Sequence, residues 1–180
     1  MTADYNDYMF YAPIYHYAVR DWKNKKTSLM ELYNRIDRNL ERKDDDSVIT
    51  NYHKDSLSMI ESISEIFTDE INLFCGKVQS RFKLACAWFE LTDKHAYHSM
   101  HNHGCTGYSS VCYIKYNSDE HKPTHFMSPF PNFLTGLQLT YTPEVDEGSI
   151  IFFPSYISHF TEPNLSDENR LIVSFNLQSV

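Results

Sequence analysis

The sequence predicts an α+β fold: two N-terminal helices followed by a rolled antiparallel sheet that they buttress on one side. Three observations predict it. The hydrophobic period is helical through the first third of the chain and becomes two from about residue 80 onward. With 13 Tyr and 12 Phe in 180 residues, the chain is more aromatic than long helices require, and strands favour such rings. Turn-forming residues then recur about every ten positions, the rhythm of a β-sandwich or barrel.

The elements follow in order. "TSLMELYNRIDRNLER" places Leu29, Leu32, Tyr33, Ile36 and Leu40 at helical spacing, with Ser28 and Glu31 as a capping box at its start. "KDDDS" at 43–47 is a solvated linker. A second helix begins near Ser56, carries the apolar stripe Leu57, Ile60, Ile63, Phe67, Ile71 and Phe74, and has Gly76 as its C-cap. In "RFKLACAWFEL" the residues Phe82, Leu84, Cys86 and Trp88 alternate onto one side of a strand. Further strands are predicted over 97–103, 108–116, 136–142, 148–153, 157–162 and 170–177. Gly104, Gly107, Gly136 and Gly148 sit between or at the edges of these runs, where a positive φ is useful. "MSPFPNFLTG" at 127–136 reads as a loop over the barrel mouth, stiffened by Pro129 and Pro131.

A chain of this size buries a core without staples and reads as one domain over 1–180. Residues 1–79 are mainly helical support, and 80–180 carry the site. The formal charge of −8 argues against duplex nucleic acid, which needs a basic footprint. Cys75, Cys86, Cys105 and Cys112 show no C-x-x-C spacing, the N-terminus lacks a signal-peptide pattern, and no apolar run is long enough to span a bilayer. The expectation is a cytoplasmic protein with free thiols and no membrane partner.

"KHAYHSMHNHGCTG" holds His95, His98, His101 and His103. On a straight strand alternate residues share a face, so His101 and His103 point the same way, about 7 Å apart along the strand axis. His98 has the opposite parity, and His95 lies about 20 Å upstream of His101; both are expected to be exposed or at a pocket rim. A bare H-x-H is a weak metal signal and needs a third ligand. The contiguous H-N-H is not the nuclease signature of that name, whose residues are far apart in sequence.

That third candidate is His159, in "EGSIIFFPSYISHFTEPNLSDENRLIVSFNL". In the last strand Leu171, Val173, Phe175 and Leu177 form an apolar face, which leaves Arg170, Ser174 and Asn176 pointing inward. A buried guanidinium needs an anionic partner. It is either a salt bridge to Asp or Glu or a bidentate clamp on a ligand carboxylate.

The pattern H-x-H, then "YSSVCYI", then G-x-x-x-F-P-S-x-x-x-H, then an Arg and a terminal S-F-N resembles the Fe(II)/2-oxoglutarate-dependent oxygenases of phages and bacteria, relatives of prolyl hydroxylases. "FYAPIY" at 10–15 is similar to that family's start. The resemblance implies a double-stranded β-helix, a jelly-roll or cupin-like barrel, and an enzyme with Fe(II), 2-oxoglutarate as co-substrate and molecular oxygen. It implies His101, His103 and His159 as iron ligands, with no catalytic residue beyond the metal centre. Arg170 falls where the clamp for the distal carboxylate of 2-oxoglutarate is expected, and Tyr113 matches a tyrosine that helps hold it; Asn176 and Ser174 join them as co-substrate contacts.

One departure stands out. His103 occupies the place where most such enzymes carry Asp or Glu, so either a three-histidine iron site operates or one histidine is not a ligand. The leading expectation is a hydroxylase releasing succinate and CO2 from a substrate that is a small molecule, protein or nucleobase. Two alternatives remain: a three-histidine dioxygenase that does not use 2-oxoglutarate, and a non-catalytic barrel acting as a binding or accessory module.

Overall fold

The computed structural model describes residues 12–36, 40–42, 47–52, 54 and 57–180. Most of the "KDDDS" linker, the first two residues of "FYAPIY" and the predicted helix start at Ser56 lie outside them. The described strands are β1 (Tyr15–Ala18), β2 (Glu41–Arg42), β3 (Ile49–Thr50), β4 (Phe82–Thr92), β5 (His98–His101), β6 (Tyr108–Lys115), β7 (His125–Pro131), β8 (Gln138–Tyr141), β9 (Ser149–Pro154), β10 (His159–Thr161) and β11 (Arg170–Ser179). The helices are α1 (Trp22–Ile36), α2 (Leu57–Ile66) and α3 (Thr68–Val78).

The strands form two antiparallel sheets. One has seven strands in the order β1-β9-β6-β11-β4-β3-β2, and the other has four in the order β5-β10-β7-β8. Period-two patterning divides the larger sheet into two faces. Leu171, Val173, Phe175 and Leu177 of β11, with Cys112 and Ile114 of β6, pack outward on Leu29, Leu32, Met59, Ile63, Phe67 and Phe74 of the helical layer. Val111 and Tyr113 of β6, Ile151 and Phe153 of β9 and Ile172 of β11 pack inward, together with Phe126 of the smaller sheet. This second core lies between the sheets, where the parity of the last strand placed Arg170. That parity was expected, and it holds.

The helices differ from expectation at their ends. α1 begins at Trp22, so Ser28 lies inside it. The lysine-rich first turn carries no apolar period, but its side chains are tied down: Lys25 Nζ is 2.7 Å from Glu70 Oε2, and Trp22 Nε1 donates to Glu147 Oε1 at 3.3 Å. The single second helix is two helices, interrupted at Phe67 with φ −100° and ψ 18°. Thr68 follows the break, and its hydroxyl donates to the Ser64 and Glu65 carbonyls at 2.8 and 3.0 Å, the local side-chain bonding that bends helices. The stripe survives from Ile63 onward, where Ile63, Phe67, Ile71 and Phe74 are buried, but not at its start: Leu57 is exposed, Ile60 is half-buried and Met59 takes the buried place in the first turn. Gly76 is inside α3, which ends instead at Gln79 with φ 53°.

Part of the segment read as a loop is strand. β7 contains Pro129 and Pro131, and its pairing with β8 slips between Met127 and Pro131, the kind of bulge at which a sheet tolerates proline. Gly107 shows what its φ of +81° is for: a Cβ there would collide with the Leu177 carbonyl. All four cysteines are free. No described helix is long and apolar enough to cross a membrane.

Candidate metal centre

β5 ends at His101, two residues before His103, and β10 begins at His159. Antiparallel pairing sets His159 directly against His101. His103 lies just past the strand, where its backbone N–H donates to the Ser155 carbonyl at 2.9 Å. The three rings converge between the sheets. Their centroids are 4.3 Å apart for His101–His159, 4.9 Å for His103–His159 and 5.2 Å for His101–His103. One nitrogen from each lies within 4.8 Å of the others.

Hydrogen bonds decide which nitrogens those are. His101 Nδ1 meets the Ser99 carbonyl at 2.8 Å, and His159 Nδ1 meets the Ile157 carbonyl at 3.0 Å. A carbonyl only accepts, so both Nδ1 atoms carry hydrogen. His103 Nδ1 lies 3.0 Å from Asn176 Oδ1 and 2.8 Å from Ser109 Oγ, and Ser109 Oγ also donates to Asn176 Oδ1 at 2.8 Å. Each ring is therefore held in the tautomer that leaves Nε2 with a lone pair, the usual support for a metal-binding histidine. Burial favours the neutral form of two of the rings. It lowers His159 well below the ordinary histidine value, helped by His101 and His103. Burial and the neighbouring His101 lower His103 to about 4, against an opposing effect of Asn176. Neutral, tautomer-fixed imidazoles of this kind suit a divalent transition metal.

Arg170 is 1% exposed. Its Nη2 donates to Thr124 Oγ1 at 3.3 Å, and its guanidinium lies over the Tyr113 ring at 5.4 Å. Tyr113 in turn accepts from the Thr124 N–H at 3.0 Å through its hydroxyl. Arg170 Nε and Nη1 have no hydrogen-bond partner among the described residues. Buried donors left open beside a cluster of imidazoles fit an anionic ligand. Ser174 lines the same cavity as the histidines, whereas the Asn176 amide oxygen faces His103.

Two residues of the site were not singled out in the sequence, or were set aside. Glu90 is 3% exposed, with Oε1 3.6 Å from Arg170 Nη1 and Oε2 2.8 Å from His98 Nδ1. Burial opposes its charge, but the His98 ring, its hydrogen bond and Arg170 bring it down to about 2. His98 also lines the cavity and stacks on His101 at 3.9 Å. Two β-irregularities explain both. On β10 the three residues 159–161 span what the four residues 98–101 span on β5, and this shift overturns the straight-strand parity that set His98 apart. On β4 the register slips near Cys86, so Phe82 and Leu84 face the helices while Trp88 and Glu90 line the cavity. His95 is a turn residue with φ 68°, exposed and away from the cluster.

The family described as 2OG-Fe(II) oxygenase matches residues 86–176, or 91 of the 180 residues. Among solved structures, the chain is similar to SnoN, a non-heme α-ketoglutarate-dependent epimerase from nogalamycin biosynthesis. The TM-score is 0.73 at 14% identity, over 92% of this chain and 76% of that one. It is similar to a Pseudomonas putida prolyl-4-hydroxylase with a TM-score of 0.59 at 13% identity, over 92% of this chain and 91% of that one. HygX from Streptomyces hygroscopicus, crystallised with nickel, 2-oxoglutarate and hygromycin B, gives 0.64 at 12% identity, over 93% and 83%. No curated protein matches. At these identities the solved structures speak for the fold, and the family match speaks for the chemistry: the chain belongs to the 2OG-Fe(II) oxygenase family, enzymes that work with Fe(II), 2-oxoglutarate and oxygen.

Proposed function

We propose that the chain is a hydroxylase whose Fe(II) is held by the Nε2 atoms of His101, His103 and His159. The observation that carries this is the convergence of one nitrogen from each of three imidazoles within 4.8 Å, each ring with Nδ1 already committed to an acceptor. When bound, Fe(II) supplies the coupling of oxo-acid decarboxylation, with release of succinate and CO2, to oxygen insertion into a C–H bond. The chain's own residues bind and orient. Arg170 takes the distal carboxylate of 2-oxoglutarate with its open donors, and Tyr113 and Thr124 fix the guanidinium plane. Ser174 borders the co-substrate. Asn176, also expected to touch it, acts on this reading through His103.

The substrate is proposed to enter by a second cleft on the β3–β4 side of the histidines. Thr50, Tyr52, Trp88 and Asn102 line it beside His101 and His103, and Tyr52 meets Trp88 edge-on at 4.8 Å. This aromatic wall suits a small molecule or a peptide side chain. The two sheets are taken to close into the double-stranded β-helix, with the helices and barrel as one unit joined by their shared core. Four free thiols support an intracellular, cytoplasmic setting.

The test is turnover by protein loaded anaerobically with Fe(II). Succinate should form only when both oxygen and 2-oxoglutarate are supplied. Failure of the metal-loaded protein to bind 2-oxoglutarate removes the co-substrate reading, and stoichiometric metal with no such binding would favour the three-histidine dioxygenase instead.

A further inference from the structure

We propose that Glu90 is a specificity-determining residue of the oxo-acid pocket: a built-in carboxylate beside Arg170 that sets how far the pocket favours a dicarboxylic oxo acid over a monocarboxylic one. This rests on the assignment of Arg170 as the clamp. The two side chains are 1% and 3% exposed, and Glu90 Oε1 stands 3.6 Å from Arg170 Nη1. That separation offsets charge but is too long for a hydrogen bond. The arrangement therefore lets the chain bury Arg170 without its co-substrate while leaving Nε and Nη1 open as donors.

Glu90 is not free to withdraw when a ligand arrives. Its other oxygen is held by His98 at 2.8 Å, and the His98 ring is stacked against His101 at 3.9 Å. An incoming distal carboxylate must share one guanidinium with a carboxylate already in place, and like charges in a buried site repel strongly. An oxo acid without a distal carboxylate does not meet this repulsion. Glu90 thus lowers the affinity for 2-oxoglutarate selectively and leaves the keto-acid end of the ligand unaffected.

The experiment compares wild type with Glu90→Gln, which keeps the shape and can still hydrogen-bond His98. Both proteins are loaded with Mn(II) under anaerobic conditions and titrated calorimetrically with 2-oxoglutarate and with pyruvate. The variant should bind 2-oxoglutarate at least tenfold more tightly and pyruvate within threefold of wild type. An unchanged or reduced preference for 2-oxoglutarate in a variant of native circular dichroism overturns the proposal. If Glu90→Gln does not fold, Glu90→Asp retains the charge but draws it back by one methylene. It should give an intermediate gain of about threefold, and no gain overturns the proposal equally. Binding by wild type without a gain in the variant sinks only the role of Glu90. Absence of 2-oxoglutarate binding in both proteins sinks the clamp assignment as well.

Discussion

His103 holds its orientation through two acceptors, and removing them one at a time measures whether it is a ligand. Asn176 Oδ1 lies 3.0 Å from His103 Nδ1, and Ser109 Oγ lies 2.8 Å from the same atom. In Asn176→Ala, Ser109 can turn to accept the imidazole hydrogen while donating to Ser155 Oγ, 2.9 Å away. The loss should sit at the low end of the effect of such supporting partners, about tenfold in metal affinity or ~1.4 kcal/mol. In Ser109→Ala the Asn176 oxygen remains, and about a threefold loss is expected. With both gone, the buried Nδ1–H has no acceptor, and the full cost of an unsatisfied donor, about 1–3 kcal/mol, falls on the ring. The double variant should lose about a hundredfold, more than the roughly thirtyfold product of the single losses. Competition of Zn(II) or Co(II) against a chromophoric chelator reads all four proteins. A double variant that binds within twofold of wild type, with unchanged circular dichroism, would refute His103 as a ligand through Nε2.

Three further outcomes are expected. Arg170→Lys keeps the charge but loses the planar fork, so 2-oxoglutarate binding should weaken by about 10–100-fold while metal content stays stoichiometric; equal weakening of the metal would contradict the clamp role. In the metal-free protein, His103 is neutral in the fold down to about pH 4 but becomes protonated in the unfolded chain below about pH 6.5. The unfolded state then binds more protons, so stability is present above pH 6.5 and is lost as pH falls towards 4, on the order of 3 kcal/mol from this residue. Urea unfolding at pH 7 and near pH 4.5 checks it, and His103→Gln should shrink the difference by about that amount, leaving the share of His159. Gly107→Ala forces a Cβ onto the Leu177 carbonyl at a φ of +81°; it should cost more than about 1 kcal/mol, read as a fall in Tm.

The local periods were legible and the slips between strands were not. The two-residue alternation of β11 separated Leu171, Val173, Phe175 and Leu177 from Arg170 and Ser174 without any knowledge of neighbouring strands. H-x-H and His159 are brought together because β5 and β10 pair, a long-range event that family-like spacing anticipated and periodicity alone did not. Glu90 continues the alternation of Trp88, so its parity was readable, but its partners were not. Arg170 and His98 come from different strands, and His98 turns inward only through the register shift opposite β10. The same limit hid β7, since two prolines argue against a strand unless a bulge is known to receive them.

The missing carboxylate at position 103 becomes intelligible once charge is counted over the whole site. In the common arrangement a dication, one ligand carboxylate, a dianionic oxo acid and an arginine sum to zero. On the proposed assignment three neutral imidazoles remove the ligand carboxylate, and a carboxylate is supplied nearby by Glu90, which is buried between Arg170 and His98 and held well below the usual carboxylate range. On that assignment the negative charge stands in the layer behind the metal, next to the co-substrate's far end. Two effects follow in opposite directions. The metal sees a weaker donor field, while the clamp sees a competitor. A Glu90→Gln protein should therefore hold 2-oxoglutarate more tightly yet leave divalent-metal affinity nearly unchanged, whereas a carboxylate acting as a ligand would lose metal first. That pair of measurements separates a charge placed for the co-substrate from one placed for the ion.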